Sequence, residues 1–253
     1  MSCVIFSGPS LAPSEAERRF PRAHCQRPAA CGDIYRAHQA GARSIVLIDG
    51  YFEHARSVWH KEILWALLHG TRVYGAASLG ALRAVELERF GMLGVGRIFE
   101  WFRDAILEDD DEVTLVHENG ARNYEAKSEP LVNIRVTLAK AVANELLRYD
   151  TAVRLVELQK QRFYALRSYA DMLECARNDG QGLDESTLTR WLESERVDQK
   201  RSDALAAVER ARADLEAPDL QPAVLRCDFE FSYTEAWHEF VRREASARGP
   251  QLT

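Results

Sequence analysis

The chain predicts an α/β protein: a parallel-sheet, Rossmann-like N-terminal core followed by a mainly helical C-terminal half. Two observations carry this. Short apolar runs alternate with helix-like segments over residues 1–91, and the runs end in loops rich in small residues. From about residue 130 the apolar positions recur at helical spacing instead.

Cys3 to Phe6 is a short apolar run that leaves into Ser7-Gly8-Pro9-Ser10. A helix is expected over Ser14 to Phe20, a short strand over 23–27, and a helix from Asp33 to Ala40 closed by Gly41. Ser44 to Ile48 is a β-branched run ending in Asp49-Gly50. Ser57 is placed to cap a helix over 58–69, closed by Gly70. Thr71 to Tyr74 is the next strand, and a helix over 79–90 stops at Gly91. Strand, crossover helix, strand is the signature of a parallel sheet, whose ligands collect outside the carboxyl ends of the strands. Gly8-Pro9-Ser10, Asp49-Gly50 and Gly75-Ala76-Ala77-Ser78 are therefore expected along one rim.

Beyond 130, Ile134, Leu138 and Ala141 mark one helical face, and Val153, Val156, Phe163, Leu166 and Leu173 continue the spacing. Leu183-Asp184 before Leu188 resembles a hydrophobic staple around an Asp N-cap. Val197 to Leu215 is amphipathic, Pro218 and Pro222 break the chain, and a last helix over about Thr234 to Glu244 carries Trp237, Phe240 and Val241. The expected division is an α/β core over 1–129 and a helical region over 130–253 that packs on the core or docks partners.

Composition narrows the function. With 46% hydrophobic and 28% charged residues the chain is ordinary globular material. Net charge is -6 and no basic stripe occurs, which argues against nucleic acid as partner. No run approaches the about 18 apolar residues of a membrane span, and the N-terminus lacks a secretory pattern. Cys3, Cys25, Cys31, Cys175 and Cys227 show no CxxC spacing. Reduced thiols in a cytoplasmic protein are expected, without disulfide or zinc. The absence of GxGxxG and Walker sequences leaves no motif for a nucleotide, and no cofactor is expected.

The densest chemistry lies in 48–91. Ser78 sits between an expected strand and an expected helix, a position like that of a hydrolase nucleophile, although Gly75-Ala76-Ala77-Ser78-Leu79-Gly80 is one residue longer than G-x-S-x-G. The N–H groups of Leu79 and Gly80 would hold an oxyanion there; the plain alternative is an N-cap serine. Lys61, early in its helix, faces the positive end of the helix dipole, and a neutral lysine serves a serine as base. Its plain alternative is a surface lysine paired with Glu62 or Glu53. His60 is the rival base. Asp49 ends a strand and orients a ligand or simply makes a turn. Arg83 is a supporting group, or pairs with Glu86 one turn on. Tyr51, Phe52 and Trp59 wall a pocket or fill core. Ser10 is a second serine on the same rim. The run Glu108-Asp109-Asp110-Asp111-Glu112 lacks a calcium-loop spacing and is expected to be a solvated loop or docking surface.

Together these segments resemble the TfuA-like family. The resemblance runs co-linearly through Cys31-Gly32-Asp33-Ile34-Tyr35-Arg36-Ala37, Ile48-Asp49-Gly50-Tyr51-Phe52, Val58-Trp59-His60-Lys61-Glu62-Ile63-Leu64 and Gly75-Ala76-Ala77-Ser78-Leu79-Gly80-Ala81-Leu82-Arg83-Ala84. It continues through Phe90-Gly91-Met92-Leu93-Gly94-Val95-Gly96, the acidic run to Val113, and Ser128-Glu129-Pro130-Leu131-Val132-Asn133-Ile134-Arg135. Leu79 stands where the family often has Met. The resemblance implies a partner of YcaO enzymes, which replace a peptide backbone oxygen with sulfur. It implies hydrolysis of the thiocarboxylate of a ThiS-like sulfur carrier, help in engaging the precursor peptide, and a serine–lysine pair matched here to Ser78 and Lys61. The alternative is a non-catalytic adaptor that docks on YcaO and presents peptide or carrier. Sulfide release from a thiocarboxylated carrier separates the two.

Overall fold

The computed structural model describes residues 3–51, 55–180, 182, 184–217 and 229–247. The strands are β1 Cys3–Phe6, β2 Ala23–Gln26, β3 Ser44–Leu47, β4 Arg72–Ala76 and β5 Leu93–Val95. They form one parallel sheet in the order β2-β1-β3-β4-β5. The order reverses between β1 and β3, so the loops leaving these two strands frame the crevice where open α/β sheets bind ligands.

Side-chain alternation builds the core. Val4, Phe6, Ile45, Leu47 and Val73 face one side; Cys3, Ile5, Val46, Tyr74 and Ala76 face the other. The first face is covered by α2 Asp33–Gln39, α3 His60–Leu68, α4 Leu79–Leu87 and α5 Arg97–Arg103. The second is covered by α1 Pro13–Arg19 and, from far along the chain, α10 Gln199–Glu216. α10 lays a stripe of Ala204, Ala207, Val208 and Ala211 on the sheet, and these small residues permit close approach. Tyr74 donates its hydroxyl to Asp214 at 2.8 Å. Asp203 accepts the Ile98 N–H at 2.8 Å, and a Cβ on Gly96 would lie 2.3 Å from the Asp203 carboxyl carbon. α10, from the helical region expected over 130–253, thus packs directly on the α/β core.

Between them, α6 Leu131–Ala143, α7 Tyr149–Lys160, α8 Tyr169–Asn178 and α9 Glu185–Glu195 pack around Leu138, Leu155, Met172 and Leu188. Asp184 caps α9 by accepting the Thr187 N–H at 3.1 Å; Leu183, its expected staple partner, lies outside the described residues, as do Pro218, Pro222 and Cys227. α11 Glu235–Ala247 lies on the far side, with Trp237 and Phe240 against Tyr35 and Trp59. No described helix is long and apolar enough to cross a membrane.

Two local readings differ. α3 begins at His60, not 58, because its first turn is held by Glu62 instead of Ser57. The Glu62 carboxylate, fully buried, accepts N–H groups of Trp59, Gly32, Ile34 and Tyr35 at 2.8–3.2 Å, so one side chain caps two helices. β5 has no strand-like run of its own. It is three residues long, and Gly94 is required because the Phe99 ring would sit 2.2–2.3 Å from any Cβ there.

Candidate active site

Loops after β1, β3 and β4 leave from one edge of the sheet, and Asp49 ties two of them together. Its Oδ2 accepts the N–H groups of Gly8 and Ser10 at 2.8 and 3.0 Å, and its Oδ1 accepts the Ser10 hydroxyl at 2.6 Å. Asp49 and Ser10 are both buried. The Ser10 hydroxyl is therefore committed to Asp49, and the Gly8–Ser10 N–H groups are turned away from any oxyanion role. Asp49 is the brace of the rim.

After β4 the chain makes a strained turn. Ser78 N–H donates to the Ala76 carbonyl at 2.7 Å, and the central Ala77 has φ 65°, the left-handed γ-turn that few non-glycine residues adopt. Ser78 then opens α4. Two glycines bring that opening down onto the strand ends. A Cβ on Gly80 would lie 1.8 Å from the Leu47 carbonyl oxygen, and one on Gly50 would lie 2.0 Å from Leu79 Cδ2. The Gly80 N–H donates to the Ile48 carbonyl at 3.2 Å, so it is not free for substrate. The Leu79 N–H, first in the helix, has no acceptor among the described residues.

Ser78 and Asp49 line a narrow cleft of about 90 Å³, together with Tyr51, Leu79, Leu82 and the segment Val113 to His117. Lys200, the second residue of α10, also lines it. Its amine stands 3.2 Å from Ser78 Oγ and donates to the Val113 carbonyl at 2.6 Å. Lys200 is only 2% exposed. Burial pushes its amine below the usual lysine range, and the Asp49, Asp198 and Glu129 carboxylates oppose that push.

Lys61 stands elsewhere. Its amine donates to the Ser232 carbonyl at 2.5 Å and to Thr234 Oγ1 at 2.9 Å, over the ring of Phe231. It ties the segment before α11 to α3 and does not line the cleft. His60 pairs with Glu86 at 2.7 Å, and Arg83 with Glu86 at 2.7 Å and the Val58 carbonyl at 3.2 Å. These groups brace the outer side of α3 and α4, because α3 presents its first turn to α11 and to α4, not to the rim. Tyr51 walls the cleft, Trp59 packs against Trp237 instead, and Phe52 and Glu53 lie outside the described residues.

The acidic run, expected as a solvated loop or docking surface, keeps three of its five residues exposed and turns Asp111 and Glu112 inward. Glu112 is buried and bound by Arg135 at 2.8 Å, and Asp111 by Lys160 and by the fully buried Arg167 at 2.5 Å. Only Glu108, Asp109 and Asp110 are exposed, and Asp109 still meets Lys160 at 2.9 Å. These pairs fix the segment that follows, which is the Val113–His117 wall. Among the described residues no cluster of His, Cys, Asp and Glu is arranged to hold a metal.

Lys200 and the 113–117 wall had no motif to announce them. One signal was available: Lys200 follows the capping sequence Asp198-Gln199 and so enters its helix in the first turn, as Lys61 does.

No curated protein matches the chain. Residues 49–168 match the family model for TfuA-like protein; Asp49, Ser78 and the cleft wall fall inside that segment, and Lys200 beyond it. Over residues 49–168, which hold Asp49, the serine turn and the wall of the cleft, the chain carries a TfuA-like domain.

Proposed function

We propose that this chain serves a YcaO-associated peptide thioamidation system by hydrolysing the thiocarboxylate of a ThiS-like sulfur carrier, with Ser78 as nucleophile and Lys200 as base. The observation that carries the reading is the 3.2 Å approach of the enclosed Lys200 amine to Ser78 Oγ inside the cleft. The link to YcaO and its precursor peptide rests on the TfuA-like domain.

A neutral amine has two N–H donors and one lone pair. Lys200 donates one N–H to the Val113 carbonyl and turns its lone pair to the Ser78 hydroxyl. Ser78 Oγ attacks the thiocarboxylate carbon while Lys200 takes its proton. The tetrahedral oxyanion is met by the Leu79 N–H. Collapse breaks the carbon–sulfur bond, Lys200 returns the proton to sulfur, and hydrosulfide leaves. Water then attacks the Ser78 ester with Lys200 again as base, releasing the carrier as its carboxylate. Sulfide leaves more readily than an amine, and the close-packed turn of Ala77, Gly80 and Gly50 favours a tail of small residues.

The test is sulfide release from a thiocarboxylated carrier. Ser78→Ala and Lys200→Arg should both abolish it, arginine because it keeps its charge. Normal release by Ser78→Ala would end the hydrolase reading. A wild type that releases no sulfide, yet supports thioamide formation when free sulfide is supplied, would make the chain an adaptor.

A further inference from the structure

The Ser128 to Arg135 block plays no part in the chemistry above, yet it lies directly behind Lys200. Asn133, on the first turn of α6, is 5% exposed and makes four hydrogen bonds. Its Nδ2 donates to Glu129 Oε1 at 3.0 Å and to Asp198 Oδ1 at 3.2 Å. Its Oδ1 accepts the backbone N–H groups of Gln199 at 2.9 Å and Lys200 at 3.3 Å. That exhausts the two donors and two acceptor sites of a carboxamide. No other residue type of this size both bridges two carboxylates and caps two adjacent N–H groups. Arg135, two residues on, holds Glu112 and with it the wall whose Val113 carbonyl receives the Lys200 amine.

We propose that Asn133 is the positioning residue of the Ser78–Lys200 pair: by joining Glu129 and Asp198 to the first turn of α10, it fixes where the Lys200 amine stands and which charges it meets. The inference rests on the Ser78–Lys200 reading but not on the identity of the sulfur carrier. The charged groups acting on Lys200 come from three places: Asp49 behind β3, Glu129 before α6 and Asp198 before α10. Arg196 acts on Glu129 in the opposite sense. The ammonium formed when Lys200 takes the serine proton is stabilised by the three carboxylates together. Asn133 keeps two of them side by side by giving each an N–H, and without it their mutual repulsion would drive them apart.

The test follows acylation of Ser78 by a small activated ester, p-nitrophenyl acetate, across pH, with no carrier present. Asn133→Ala should slow acylation by about 10²-fold, the cost of a misplaced catalytic group. Thr137→Val is the control for lost stability. It removes two neighbouring hydrogen bonds, from the Val197 N–H at 3.0 Å and with the Tyr169 hydroxyl at 2.8 Å, and should leave acylation near wild type. Glu129→Gln removes one carboxylate that favours the ammonium, so the rising limb of the pH–rate profile should move to lower pH. Equal slowing by Asn133→Ala and Thr137→Val, or superimposable pH profiles for Glu129→Gln and wild type, would overturn the proposal. A wild-type Ser78 that never acylates would remove both the pair and its positioning residue. Acylation without carrier hydrolysis would sink the sulfur-carrier reading alone.

Discussion

Replacing Lys200 by methionine keeps an unbranched apolar stem as far as Cε and removes the amine, so the pH dependence of its effect on stability reports the protonation state. The folded chain holds Lys200 below the ordinary value of 10.5, chiefly because burial disfavours the ammonium. Between the lowered pKa and 10.5 the unfolded chain therefore binds one proton more than the folded chain. Stability of the wild type must rise with pH across that window, by about 1.4 kcal/mol for each unit of lowering. The variant lacks that rise. Against this, methionine leaves the buried Val113 carbonyl without its donor, costing about 1–3 kcal/mol at every pH. The expectation is a gap between the two proteins that changes with pH: the variant gains on the wild type in acid and falls behind in alkali. Urea denaturation from about pH 6 to 10 measures it, with the slope m checked for constancy. Titrations of other groups are shared and cancel in the difference. Two stability curves that stay parallel over the whole range would mean that Lys200 keeps its ordinary pKa, and a lysine that stays charged at neutral pH cannot be the base.

Two further predictions test the frame of the site. Gly80→Ala should cost about 3 kcal/mol in urea denaturation, because its Cβ would meet the Leu47 carbonyl at 1.8 Å; Gly41→Ala, with nothing within 4 Å, should cost only about 1 kcal/mol for its φ of 85°. Arg167→Met should destabilise by about 3–5 kcal/mol, because a buried guanidinium that holds Asp111 and three backbone carbonyls is removed from one side of an ion pair. It should also raise KM, since the 113–117 wall loses its anchor.

The α/β core was legible because each crossover writes its own punctuation. β1 is the run Cys3–Phe6 as read from the sequence, and β3 and β4 differ from their expected ends by one or two residues. β5 was not legible, since Leu93 and Val95, on either side of Gly94, gain strand geometry only from pairing with β4 and from the ring of Phe99. The place of Ser78 between β4 and α4 was legible because a strand-to-helix turn of small residues is a local feature. The inward pairing of Asp111 and Glu112 was not legible, because Lys160 and Arg167, the partners of Asp111, lie about fifty residues away and nothing in five consecutive acids says which of them face inward. The Glu62 cap was hidden for the same reason: three of the four N–H groups that donate to it belong to another helix.

The choice between the two lysines turns on packing, not on local electrostatics. Lys61 and Lys200 are each the second residue of a helix, α3 and α10, so the dipole bears on both alike. What separates them is the direction in which the helix enters the protein. α3 lays Ile63, Ala66 and Leu67 on the first face and turns its start toward the aromatic cluster of α11, where Lys61 finds a carbonyl, a hydroxyl and solvent. α10 lays Ala204, Ala207, Val208 and Ala211 flat on the sheet. A helix lying that close delivers its first turn to the rim of the strands. Asp203 on Ile98 and Asn133 on Gln199 then prevent it from sliding away. A lysine at that position is buried by the backbone path and has nowhere to hold a hydration shell. The apolar stripe about one to three turns further on is thus what sets Lys200 apart from Lys61. In this chain, the apolar stripe of α10 on the sheet is what sets its capping end beside Ser78.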